Sequence, residues 1–152
     1  MTNRSFTTSF TVTQSPESVF AAIINPRAWW SGAFDGDTTR LGDIFSYRYS
    51  DLHYSKQEVT ELVPGKHVAW HVVEGTLSFV NDKTEWVGTT ITFDIERTSG
   101  MTTLTFTHVG LEPVVECFDT CSDAWTSLIQ GSLKRLIETG STELIELAAP
   151  AA

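Results

Sequence analysis

The most constraining feature of this sequence is the stretch from Val114 to Gly140, which is long enough and regular enough in its apolar spacing to form a long helix. Phe118, Cys121, Trp125, Leu128, Ile129, Ser132, Leu133 and Leu136 recur at steps of three and four, one stripe over five or six turns. Asp119, Asp123, Lys134, Arg135 and Glu138 fall largely off that stripe, so the opposite face is wet. Glu116 suits the positive start, and Gly140 stands where a left-handed C-terminal cap is wanted. Gly131 sits inside the pattern at a cost of roughly 1 kcal/mol against Ala; it reads as tolerated, with close approach of a backbone or a bound molecule as the rival. A stripe this broad must be buried against another layer.

The rest of the chain supplies that layer. Ser5 to Thr13 alternates, with Phe6, Thr8, Phe10 and Val12 on one face, and predicts a half-buried strand. Ser15 and Pro16 are a cap and first residue for a short helix buried through Val19, Phe20 and Ile23. Asn25 and Pro26 start a second short turn through Trp29 and Trp30, and a polar loop is expected from Gly32 to Gly42. From Asp43 the period is two: Phe45, Tyr47 and Tyr49; Val59 to Val63; then, after the Pro64-Gly65 turn, Val68, Trp70 and Val72. Trp86 to Arg97 pairs across Thr98-Ser99-Gly100 with Met101 to His108. Gly75 to Glu85 is either a loop or an interrupted strand around Leu77, Phe79 and Val80, and the tail after residue 140 reads as frayed. The expected architecture is α+β: one curved antiparallel sheet gripping a long C-terminal helix, with two short helices after the first strand. A bent sheet and a straight helix do not meet flush along their whole length, so a cavity between them is expected.

Size and charge narrow the function classes. A chain of 152 residues with 41% hydrophobic content fits a single domain, spanning residues 1–152. A formal charge of -9 without any basic patch argues against nucleic acid. No apolar run reaches membrane-spanning length and the first ten residues lack an apolar leader core, so the expectation is a cytoplasmic protein with reduced thiols and no membrane partner.

The segments Phe10 to Trp30, Val59 to Trp70, Asp82 to Ile95 and Leu104 to Gly140 resemble the START-like superfamily also called SRPBCC. Within it they resemble the branch named after the activator of the heat-shock-protein-90 ATPase. That resemblance covers nearly the whole chain and implies the helix-grip (Bet v 1-like) fold with a deep cavity between helix and sheet. It also implies a range of functions: binding of lipid or polyketide-like ligands, aromatic polyketide cyclisation, and co-chaperone activity in stress. No shared catalytic motif carries over residue by residue. The family's chaperone activators use a separate N-terminal domain that this sequence does not show.

Candidate chemistry is sparse. Cys117 and Cys121 lie four apart on the helix, too few for a metal site, and read as buried free thiols; no metal or cofactor is expected. His108 reads as a surface or capping residue at a strand end, and His53, His67 and His71 as surface histidines. Glu58, Glu61, Glu85 and Asp94 have about even chances of pointing inward as a raised-pKa acid. Nucleophile elbows, phosphate loops and dinucleotide fingerprints are absent from the sequence. The aromatic residues say more. Trp30, Phe45, Tyr47, Tyr49, Trp70, Trp86, Phe93, Phe106, Phe118, Cys121, Trp125, Leu128 and Ser132 are the expected cavity lining, since indole and phenol carry a polar tip that can orient a ligand. The expected function is binding of a small apolar or aromatic ligand. A cyclase or hydrolase acting on a similar compound and a chaperone-linked interaction module are the alternatives, with a second copy of the chain as a further candidate partner.

Overall fold

The inward parity of the first strand sets the frame. In the computed structural model, which describes residues 5–78, 80–81 and 83–141, β1 (Phe6–Val12) buries Phe10 and Val12 and turns Thr7 and Thr11 out. Ser15 then caps α1 (Pro16–Ile23) by accepting a hydrogen bond from the Ser18 N–H at 3.2 Å. A 3-10 turn (Pro26–Ala28) delivers Trp29 and Trp30 into the core. Six more strands follow: β2 (Ala33–Asp35), β3 (Ile44–Tyr49), β4 (His53–Val63), β5 (His67–Leu77), β6 (Thr90–Thr98) and β7 (Met101–Val109). They make one antiparallel sheet in the order β1-β7-β6-β5-β4-β3-β2.

Two differences from the sequence reading matter. The loop expected between Gly32 and Gly42 contains β2, whose three residues pair with Ser46 to Arg48 of β3. A strand this short has no periodicity of its own to read. The doubtful stretch from Gly75 is strand as far as Leu77, where β5 still pairs with His53, and turns after it. Phe79 and the tail from residue 142 lie outside the described residues.

The long helix is continuous from Phe118 to Thr139 but not uniform. It opens as α2 (Phe118–Thr126), widens to a π-helical stretch over Ser127–Leu133, and closes as α3 (Lys134–Thr139) on Gly140, which takes the expected left-handed conformation at φ 81°. Leu128, Ile129, Ser132 and Leu133 face inward together through this stretch, as the stripe predicts. Gly131 lies on the outer side with nothing within 4 Å of where a Cβ would stand, so ordinary tolerance explains it. The π stretch is tied to β1 by Gln130, whose Nε2 donates to Thr8 Oγ1 and to the Ser9 carbonyl, both at 2.8 Å.

The start of the helix is held differently. Glu85 accepts from the N–H groups of Glu116 at 2.7 Å and Cys117 at 3.2 Å, and the Glu116 carboxylate accepts from the Asn81 N–H at 3.1 Å. The loop before β6 and the helix N-terminus therefore clamp each other. Glu85 holds the turn that leads into the helix, which corrects its reading as a candidate inward acid. Among the described residues no helix is long and apolar enough to cross a membrane.

Candidate functional site

Between α2 and the β3–β4 end of the sheet lies a cavity of about 60 Å³. The sheet supplies Tyr47, Tyr49 and His53, with Leu52 from the turn between them. The helix supplies Thr120, Cys121, Ala124, Trp125 and Leu128, and Trp30 and Trp86 come from connecting segments. Tyr49, Leu52, Thr120 and Ala124 are half-buried, so the cavity reaches the surface beside them.

Ring packing explains its size. Trp30 stacks on Tyr47 with centroids 4.1 Å apart, meets Trp125 at 5.0 Å and lies parallel to Trp70 at 6.1 Å. Trp86 stacks on Trp125 at 5.9 Å and stands edge-on between two imidazoles, His53 at 4.3 Å and His108 at 4.6 Å. Gly32 allows this closeness: it adopts φ 148°, and a Cβ there would collide with the Tyr47 ring. The Tyr47 hydroxyl donates to the Ser31 carbonyl, and burial raises its pKa above the ordinary phenol value.

The thirteen expected lining residues divide. Trp30, Tyr47, Tyr49, Trp86, Cys121, Trp125 and Leu128 do line the cavity. Phe45, Trp70, Phe93 and Phe106 are fully buried but lie deeper, closing the sheet side through edge-on contacts such as Trp70 to Phe93 at 4.9 Å. Phe118 is half-buried beside the core, and Ser132 is buried with its Oγ unpartnered; neither reaches the cavity. Aromatic content alone could not separate lining from filling.

The histidines require correction. His108, expected at the surface or as a cap, is fully buried, and its hydrogen bonds fix its state. The Trp125 Nε1–H donates to Nδ1 at 3.1 Å, so Nδ1 carries no proton. Nε2 then bears the hydrogen and donates to Thr89 Oγ1 at 2.8 Å, and the Thr89 hydroxyl donates onward to the Trp86 carbonyl at 2.6 Å. Burial, followed by the nearby His53, pushes the His108 pKa down to about 3. His53, also expected at the surface, packs against Tyr47 and Trp86 and lines the cavity; burial pushes its pKa down to about 3. It leads a polar row on the inner face of β4 that the sequence reading missed. His53 Nε2 and Ser55 Oγ are 3.1 Å apart, and Gln57 Nε2 donates to Ser55 Oγ at 2.8 Å. Ser55 and Gln57 are both fully buried.

His67 faces outward as expected, gripped by Asp94 through Nδ1 at 2.7 Å and by Glu61 through Nε2 at 2.6 Å. Burial alone would lower its pKa, but these two bonds outweigh it and the net shift is upward. Glu61 and Asp94 thus point to solvent, Glu58 is half-buried on the outer face of β4, and His71 meets Thr90 Oγ1 at 3.1 Å. Cys117 and Cys121 are buried free thiols. The Cys121 pKa is raised by its hydrogen bond with Cys117 and by burial, so the thiol in the cavity wall stays protonated. The Trp86 indole N–H has no oxygen or nitrogen partner and faces the weakly accepting Cys121 sulfur. Among the described residues no cluster of three or more His, Cys, Asp or Glu could hold a metal ion.

A seven-stranded antiparallel sheet wrapped on a long C-terminal helix, with an aromatic cavity on the seam, defines a helix-grip protein of the START-like class. The chain belongs to the family described as Activator of Hsp90 ATPase homolog 1-like protein, whose model matches residues 13–138. Among solved structures it is similar to the Aha1 dimer from Colwellia psychrerythraea, with 23% identity and a TM-score of 0.72 over 91% of this chain and 98% of that one. It is similar to DynU16, a putative protein in the dynemicin biosynthetic locus, with 17% identity and a TM-score of 0.66 over 92% of this chain and 49% of that one. SSP2350 from Staphylococcus saprophyticus is similar at 18% identity and a TM-score of 0.66, over 91% of this chain and 95% of that one. No curated protein matches the chain.

Proposed function

We propose that this protein binds a small apolar or aromatic molecule between α2 and the β3–β4 end of the sheet, acting in the cytoplasm. The observation that carries the reading is the cavity itself, walled by five aromatic rings and reaching the surface at the half-buried residues beside Tyr49 and Ala124. Its volume of about 60 Å³ is room for about two water molecules and lies below the ~300 Å³ of the smallest drug-sized sites. A cavity that takes benzene measures ~150 Å³, so even a single ring enters only when the half-buried mouth residues move aside.

A perturbed titratable group in a cavity is also what an enzyme would need, and His53 is one. The direction of its shift favours binding. An imidazole held down to about 3 is a poor base at neutral pH, and effective general bases lie near the working pH. The protonated Cys121 supplies no nucleophile either. A cyclase- or hydrolase-like activity is the weaker alternative.

A second reading, contact with another protein chain, rests on a different surface. Leu41 in the turn before β3, Ile44 at the start of β3 and Val63 at the end of β4 are 66%, 51% and 45% exposed. A second copy or a chaperone is the partner this reading names, and light scattering across a concentration series tests the first of these.

The binding reading is tested with neutral N-phenyl-1-naphthylamine, whose fluorescence rises in apolar surroundings. Saturable one-to-one binding is expected, with loss on Ala124→Trp, which fills the cavity from the helix side. A probe that never saturates, or one indifferent to Ala124→Trp, overturns it.

A further inference from the structure

We infer that His53 is the ligand-orienting donor of this cavity, so that the site selects neutral aromatic molecules carrying a hydrogen-bond acceptor such as an aryl carbonyl; this rests on the binding reading above. Gln57 Nε2 donates to Ser55 Oγ at 2.8 Å, and Ser55 is fully buried. Among the described residues the one acceptor within reach of the Ser55 hydroxyl hydrogen is His53 Nε2, 3.1 Å away; a protonated Nε2 would leave that buried hydrogen without an acceptor, so Nε2 accepts and carries no proton. The proton of the neutral imidazole therefore sits on Nδ1. Among the described residues Nδ1 makes no hydrogen bond, and His53 lines the cavity. The reversed amide would leave the Gln57 N–H groups buried and unpartnered where now only Oε1 is, and orphaned N–H groups are the rarer of the two.

Most other polar groups of the wall are engaged, the Trp86 indole N–H only by the weakly accepting Cys121 sulfur, and Thr120 sits at the half-buried mouth. The Tyr47 hydroxyl is held by the Ser31 carbonyl and the Trp125 indole N–H by His108. Among the described residues no Lys, Arg, Asp or Glu lines the cavity, so neither a carboxylate nor an ammonium ligand would find a counter-charge there. That leaves an apolar wall with the His53 N–H as its strongest donor lacking an oxygen or nitrogen acceptor, beside the sulfur-facing Trp86 N–H, and an imidazole N–H fits a carbonyl oxygen on a ring.

Acetophenone and α-methylstyrene form a matched pair, differing by an oxygen in place of a methylene. In an isotope-detected titration of the wild-type protein the ketone is expected to bind about tenfold more tightly, the ratio a single net hydrogen bond gives. In His53→Phe the ratio should fall below about threefold while α-methylstyrene still binds. The nitrogen-15 shifts of the His53 ring in the wild-type protein should show a protonated Nδ1, moving when the ketone binds, a readout independent of how the variant folds. Equal binding of ketone and hydrocarbon, or a preference for phenol over toluene with Nδ1 unprotonated, overturns the inference and leaves the binding reading standing. Failure of both matched compounds to bind overturns both.

Discussion

The indole N–H of Trp125 donates to Nδ1 of His108 at 3.1 Å, and both side chains are buried, at 2% and 0% exposure. One bond thereby joins the long helix to the last strand and settles the tautomer of a core histidine. Because the donor comes from a large ring and the acceptor is buried, the two roles of Trp125 separate by substitution. Trp125→Phe keeps most of the ring and strands Nδ1, costing about 1–3 kcal/mol. Trp125→Ala also opens a cavity and should cost about 3–5 kcal/mol. Urea unfolding at pH 7 measures both, and near-equal values would mean that the hydrogen bond, rather than packing, dominates.

His53 and His108 make stability depend on pH with a defined sign. Their folded pKa values, about 3, lie below the unfolded value of about 6.5, so the unfolded chain takes up protons first. Stability is therefore fully present above about pH 6.5 and is lost as the pH falls toward 3. At pH 5 each histidine should remove about 2 kcal/mol, an amount set by the unfolded value alone. Denaturant midpoints between pH 7 and 5 check this, and His108→Gln should halve the slope.

His67 works in the opposite direction. Its raised pKa means that its stabilisation is present below about pH 6.5 and fades as the pH rises through the higher folded value. Both carboxylate partners are more than half exposed, which limits the effect to about 0.5 kcal/mol. His67→Gln should lose more stability at pH 6 than at pH 8, and the difference should shrink in 1 M salt.

Much of this architecture is written in the periodicity. The alternation of Phe6 to Val12, the Ser15-Pro16 cap, the Pro64-Gly65 turn and the stripe from Phe118 to Leu136 each predict the element found there. What the chain hides is long-range. The inward row of His53, Ser55 and Gln57 keeps strict alternation with buried Val59, but its side chains are polar, so hydrophobic patterning gave no sign that they face the core. His108 has the polarity of a surface residue, and its burial depends on Trp125, 17 positions away, and on Thr89 from another segment. The π-helical stretch leaves no signature, since the same four residues face inward at α-helical spacing. Likewise, the stripe named Ser132 as a lining residue, whereas the cavity lies nearer the N-terminal half, at Thr120 and Ala124.

Glu85 gives a prediction about local order. Removing a carboxylate that accepts from two helix-start N–H groups should cost about 1–2 kcal/mol. In Glu85→Ala the amide hydrogens of Glu116 and Cys117 should exchange faster, while those of Ile129 and Leu133 exchange at a rate changed only by the global loss. Uniform acceleration along the helix would contradict the clamp.

The central claim, that the seam between α2 and the β3–β4 end receives a small molecule, is tested most directly by mapping backbone amide shifts while a neutral single-ring aromatic such as acetophenone is added to saturation. The account predicts saturable shifts concentrated on residues 47–53 and 120–128, the two walls of the cavity. Shifts that scatter over the surface, or that gather instead on the exposed strip of Leu41, Ile44 and Val63, would contradict it.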